Sequence, residues 1–225
     1  ANPLAVEAGY AMLRQGGSAI DAAIATQLVL GLVEPQSSGL GGGAFIVMHD
    51  ARSGRTRSYD GRETAPAAAK PERFIGSDGL PLKFCDAVVG GRAVGVPGTV
   101  ALLAETHRKH GRLPWPKLFE PAIALAEQGF PVSPRLHMQL KGERFLKLDP
   151  AARAYFYAPD GEPWPVGHAL KNPDYAATLK AIRDGGAKAF YEGDIAADVV
   201  RVARAQANAS DLTEADFSAY RVFER

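Results

Sequence analysis

Arg62 and Glu63 stand side by side in "SYDGRETAPAAAK", residues 58–70, between an alternating run and an alanine- and proline-rich tail. A guanidinium offers a planar fork that matches a carboxylate bidentately, and each charge-assisted bond is worth roughly 1.5–3 kcal/mol. Arg62 falls at the end of an expected strand, followed by a stretch with no glycine before Gly76, so it should be held firmly. By residue type alone it could be a solvated edge charge, a structural ion pair or a substrate-binding group, and the ion pair leads. Glu63 either orients the guanidinium or, as the neighbour in a strand, points to the opposite face.

Other residues of reactive type are less pointed. Gly39, Gly41 and Ala44 match the G-x-G-x-x-A spacing of a dinucleotide fingerprint. That fingerprint needs a strand leading in and a helix leading out, so that the helix N-terminus meets the pyrophosphate. Here a helix leads in and an apolar strand leads out, and the glycines read instead as close packing beneath a site. His107 and His110 lie at i, i+3 on a helix rich in arginine and lysine. No third ligand is close in sequence, so they read as a solvated helix face, and no metal site is expected. There is no Gly-x-Ser-x-Gly elbow, and Ser37 and Ser38 read as loop and cap residues. Cys85, the single cysteine, stands between Phe84 and Asp86 with no histidine or basic residue directly beside it to favour its thiolate, and reads as structural. Trp115 and Trp164, each beside prolines, read as loop anchors packed on the core.

Composition narrows the classes of partner. The 26 basic and 25 acidic residues are mixed along the chain and leave a net charge of +1, which gives no footprint for nucleic acid or an anionic membrane. No apolar run approaches the roughly 20 residues of a membrane helix; Ala19–Val33 is interrupted by Asp21 and Gln27. The sequence starts almost directly on a helix without a basic and apolar leader, so the chain is expected to be cytoplasmic or already processed.

The elements that must position Arg62 follow from local signals. Asn2-Pro3 predicts a capped helix closed by Gly16-Gly17, with Leu4, Ala8, Ala11 and Met12 on its inner face. Ser18 and Asp21 resemble a capping box opening a helix over Ala19–Val33, apolar nearly all round and therefore buried. Ala44–His49 and Arg55–Asp60 read as a hairpin around "ARSG", and Ala93–Val96 as a further strand. Helices are expected from about Gly98 to His110, Pro116 to Gln128, Pro134 to Leu146 and Pro173 to Asp184. An amphipathic helix with Ile195, Val199, Val202 and Ala203 on its stripe follows, then a short capped helix from Thr213. The reading is one domain over residues 1–225. Two or three strands beside this much helix make a thin sheet, which implies strands supplied by another polypeptide.

Six blocks then fall into a familiar order: "QGGSAIDAAIATQLVLGLVEPQSSGLGGGAF", "DGRETAPAAA", "VGVPGTVALL", "GRLPWPKLFEPAIALAEQGFPVS", "DPAAR" and "GGAKAFYEGDIA". Together they closely resemble the γ-glutamyltranspeptidase family across essentially all 225 residues. The resemblance implies an α+β N-terminal-nucleophile hydrolase, a four-layer αββα sandwich whose sheet is completed by a small subunit. It implies that this chain is the N-terminal part of the large subunit, and that the nucleophile is the N-terminal threonine of the partner small subunit. No catalytic residue is expected on this chain, and no cofactor. Arg62 matches the arginine that binds the α-carboxylate of the γ-glutamyl group, while Glu63 and "SSGLGGG" support the site. The implied activity is γ-glutamyl transfer from glutathione or related amides to water or amino acids, in the periplasm or outside the cell. A glutaryl cephalosporin acylase of the same family, or a non-catalytic binding fragment, are the alternatives.

Overall fold

Asn2 and Ser18 start the first two helices as the sequence predicts. In this computed structural model, which describes residues 2–225, the Asn2 side chain accepts a hydrogen bond from Leu4 N at 3.0 Å and Pro3 opens α1 (Pro3–Arg14). The buried line of α1 is Ala5, Ala8, Gly9 and Met12, so the helix is turned slightly from the expected face and Leu4 is only half-buried. Ser18 Oγ accepts from Asp21 N at 3.2 Å and Asp21 Oδ2 accepts from Ser18 N at 2.7 Å, closing a reciprocal cap on α2 (Ala19–Val33).

β1 (Ala44–Asp50) and β2 (Arg55–Gly61) form the antiparallel hairpin, with Ala44 opposite Gly61 and Asp50 opposite Arg55. The chain continues through α3 (Phe84–Val88), α4 (Thr99–His110), α5 (Glu120–Gln128), β3 (Phe130–Pro131), α6 (Pro134–Gly142), α7 (Pro150–Phe156) and β4 (Ala169–Leu170). It ends with α8 (Pro173–Gly185), α9 (Lys188–Tyr191), α10 (Asp194–Arg204), α11 (Glu214–Ala219) and β5 (Phe223–Glu224).

Several elements differ from the sequence expectation. Ala93–Val96 is not a strand: Val96 makes one antiparallel bridge with Thr64, and Pro97 has no N–H to extend the ladder. The third strand is β5, which pairs with β2 through Tyr59–Glu224 and Asp60–Phe223. The helix expected from Pro116 begins as a 3₁₀ turn, Trp115–Phe119, and α5 starts only at Glu120. Pro121 imposes this break, because a proline inside a helix removes an N–H and clashes with the carbonyl four residues earlier. α6 stops at Gly142 because the Glu143 carboxylate takes the N–H groups of Arg144 and Phe145, each at 2.8 Å. Along α10 the buried line is Ala196, Val200 and Ala203, while Val202 is exposed.

The chain falls into two compact units. One comprises the chain up to Gly39 with Thr106–Asp184; the other comprises Leu40–Glu105 with Gly185–Arg225. In the first, α2 packs on α1, on α5 and on the 3₁₀ turn before α5, burying Ile24, Leu28, Leu32 and Phe119. Tyr175 of α8 donates its hydroxyl to Leu28 O at 2.9 Å. Asp21, with no exposed surface, also accepts from Arg112 N at 2.9 Å and Leu113 N at 3.2 Å, so the cap of α2 fixes the segment after α4. In the second unit the three strands run in the order β1-β2-β5, and Tyr59 of β2 is fully buried. α10 packs there on α9 and α11. Helices beside antiparallel strands make the class α+β, as expected. Among the described residues no helix is long and apolar enough to cross a membrane.

Candidate functional site

Arg62 follows the last residue of β2, and its backbone is fixed on every side. Its N–H donates to Asp60 Oδ1 at 3.1 Å, and its carbonyl accepts from the Tyr220 hydroxyl at 2.7 Å. Two residues on, Thr64 exchanges both bonds with Val96, at 3.3 and 2.8 Å. At the far end of the loop Ala67 N donates to Asp216 Oδ1 at 2.8 Å. The segment from residue 62 to residue 67 is therefore pinned at three points by parts of the chain remote in sequence.

Close approach of backbones completes the seat. A methyl group on Gly43 would stand 2.6 Å from Gly61 O, 2.7 Å from Glu63 N and 2.8 Å from Arg62 Cα, distances that no real side chain tolerates. A methyl group on Gly98 would collide with Gly61 O and with the Tyr220 hydroxyl. The Gly42 carbonyl accepts from Gly98 N at 2.9 Å and Thr99 N at 3.1 Å, tying the start of α4 to the glycine run. Of that run it is thus Gly42 and Gly43, rather than Gly41, that touch the site; nothing lies within 4 Å of a methyl placed on Gly41. The fingerprint spacing of Gly39, Gly41 and Ala44 has no nucleotide context, because α2 leads in and β1 leads out.

The guanidinium itself is open. The Arg62 side chain is 54% exposed, with Nε 3.1 Å from Glu63 Oε2 and Cζ 5.9 Å from the centre of the Phe45 ring. Glu63 therefore orients Arg62 rather than facing away. Beyond this ion pair no hydrogen bond reaches the guanidinium among the described residues, so the edge formed by its two terminal nitrogens is open. Asp60 is engaged elsewhere, its Oδ2 accepting from Arg225 at 2.8 Å. Burial, and then the nearby Asp60 and Glu63, push the Tyr220 phenol up to about 12, so it stays protonated and donates at any working pH.

The remaining candidates have structural partners. His107 is not on a solvated face: its Nε2 lies 2.9 Å from Leu113 O and 3.8 Å from Asp21 Oδ1, and its ring packs on Trp115. The segment "GRL" after α4 returns over the histidine, which helical spacing alone did not reveal. His49 bonds Thr56 Oγ1 at 3.0 Å, His137 bonds Trp164 O at 2.9 Å, and His168 stacks on Trp164 at 4.1 Å. No group of three possible metal ligands occurs among the described residues. Ser37 and Ser38 donate their N–H groups to Glu34 O in a turn. Trp115 and Trp164 do anchor loops, donating from Nε1 to Ile182 O and Tyr155 O. Cys85, expected to be structural, is exposed on the short helix α3 and holds no core. Sequence reasoning missed Tyr220 and Asp216; the cap at Thr213 was legible, but nothing local tied "DLTEADFSAY" to position 62.

Residues 5–225 match the family profile described as gamma-glutamyltranspeptidase. The glutathione hydrolase proenzyme of Bacillus subtilis strain 168 is 42% identical over 196 residues, 87% of this chain and 33% of that protein. The chain thus spans about a third of the length of such curated relatives. The crystal structure of gamma-glutamyltranspeptidase from Helicobacter pylori superposes with a TM-score of 0.94 at 34% identity, covering 100% of this chain and 64% of that one. The cephalosporin acylase of Bacillus halodurans superposes with a TM-score of 0.81 at 30% identity, covering 99% of this chain and 41% of that one.

Proposed function

The chain belongs to the γ-glutamyltranspeptidase family, and from that membership we propose that its 225 residues are the N-terminal part of the large subunit of a γ-glutamyltransferase or glutathione hydrolase. On this reading the partner small subunit carries an N-terminal threonine and completes the sheet. The threonine hydroxyl attacks the γ-amide carbonyl of glutathione or a related donor, and its proton passes to the threonine's own α-amine. The tetrahedral intermediate expels the protonated amine and leaves a γ-glutamyl ester, which water or an amino acid then takes up. Arg62 binds the donor's α-carboxylate and so orients the carbonyl without taking part in bond making.

The observation that carries this reading is the contrast at Arg62: a backbone bonded at both its N–H and its carbonyl, and a guanidinium edge left open. A structural ion pair does not need that contrast; a receptor for a carboxylate does. The work of such an enzyme would lie in the periplasm or outside the cell.

A glutaryl side chain also ends in a carboxylate, and the likeness to a cephalosporin acylase makes a glutaryl β-lactam the second candidate donor. Intact-mass analysis of the denatured full-length protein, with N-terminal sequencing of every chain, tests the subunit reading. A second chain beginning with threonine supports it; a single uncut chain overturns it. Parallel assays with a γ-glutamyl anilide and a glutaryl β-lactam then separate the two donors.

A further inference from the structure

We infer that Tyr220 and Asp216 are positioning residues which, from α11 and the residue after it, set the direction of the Arg62 guanidinium. The inference rests on the reading of Arg62 as the carboxylate receptor. It concerns how that receptor is aimed.

A guanidinium lies at the end of a long side chain, so a small rotation of its own peptide becomes a large displacement at the fork. Misplacement by 1 Å can cost about 10²-fold in rate. The peptide after Arg62 is held by one side chain, that of Tyr220, at 2.7 Å. Tyr220 is 8% exposed and is itself over-determined. Its ring stacks on Tyr191 at 5.6 Å and 9°. The Tyr191 hydroxyl donates to Pro97 O at 2.7 Å and accepts from Ala101 N at 3.2 Å, bridging the entry to α4. Gly98, in the same turn, leaves the space that the Tyr220 hydroxyl occupies. A loose contact would need none of this.

Asp216 acts at the other end of the loop. Its Oδ1 receives Ala67 N, while Oδ2 receives Thr213 N at 2.9 Å and Thr213 Oγ1 at 2.7 Å. One carboxylate thus caps α11 and holds the loop that leaves Arg62. The helix is six residues long, and through these two side chains it reaches both ends of the segment from Arg62 to Ala67.

The test uses the full-length enzyme assembled with its small subunit, and a γ-glutamyl anilide as donor. Tyr220→Phe, which removes one hydroxyl, should raise donor KM by roughly three- to tenfold, the worth of one hydrogen bond, with kcat held. In an Arg62→Ala background the same change should add nothing, because Tyr220 acts only through Arg62. With a 4-aminobutyryl anilide, which lacks the α-carboxylate, Tyr220→Phe and the parent enzyme should have the same KM. If Tyr220→Phe fails to fold or process, Asp216→Asn gives the same reading from the other end of the loop. An unchanged KM in the variant, or an equal penalty with and without Arg62, overturns the inference while Arg62 stands. If Arg62→Ala alone leaves donor KM unchanged, the receptor reading falls and takes this inference with it.

Discussion

Gly43 lies against the backbone of Arg62 so closely that a Cβ at position 43 would stand 2.8 Å from the Arg62 Cα. The glycine run and the arginine, separate blocks in the sequence, are two faces of one contact. Gly43→Ala must therefore move the end of β2. Overpacking of this kind costs about 1–3 kcal/mol. The expected result is a lower melting temperature together with a raised donor KM, read by thermal unfolding and steady-state kinetics on the same preparation.

Replacing Arg62 by lysine keeps the charge and removes the fork. Donor KM should rise by at least tenfold, about 1.4 kcal/mol, with a smaller change in kcat. Unchanged donor kinetics in the assembled enzyme would remove Arg62 from the site.

The Asp216 carboxyl sits below its ordinary value. Burial raises it, but the N–H of Ala67 together with the hydroxyl and N–H of Thr213 outweigh that effect and lower it on balance. A depressed carboxyl contributes stability that is complete above the unfolded value, 3.8, and is lost as pH falls through the folded one. The stability gap between the parent protein and Asp216→Asn should be full at pH 7 and close progressively below 3.8. Denaturant midpoints measured across that range check it.

Asp21 takes three backbone N–H groups, from Ser18, Arg112 and Leu113, without any exposed surface of its own. Asp21→Ala leaves those donors stranded and should destabilise the protein by about 3 kcal/mol or more. A denaturant titration that shows a loss below about 1 kcal/mol would mean that water replaces the carboxylate.

Signals that act over four residues were legible in the sequence. Asn2-Pro3, the Ser18–Asp21 box and the hairpin around "ARSG" each stand where their types require. Contacts across the chain were not. β5 is two residues long and pairs with a strand some 160 positions earlier, so no period could reveal it. Val96 reads as the end of a strand because valines alternate there, yet Pro97 stops the ladder after one bridge. At Arg62, residue type and place after an alternating run favoured an ion pair, which the contact with Glu63 provides, while the carboxylate-binding role was suggested only by the family resemblance. What was hidden is how Arg62 is held, since Gly43 and Tyr220 meet it, and Gly98 meets Gly61 and Tyr220, only in three dimensions. His107 failed for the same reason: a helix face looks solvated until the chain beyond it turns back.

The bond from Tyr220 to the Arg62 carbonyl spans 158 positions, so at a synthesis rate of ~5–20 residues/s the tyrosine leaves the ribosome roughly 8–30 s after the arginine. A hairpin closes in about 1–10 μs, so β1 and β2 can pair long before anything is available to aim the residue that follows them. The fixed backbone of Arg62 is consequently among the last features of this unit to take shape. A nascent chain halted before α11 would present a finished hairpin with its arginine unaimed.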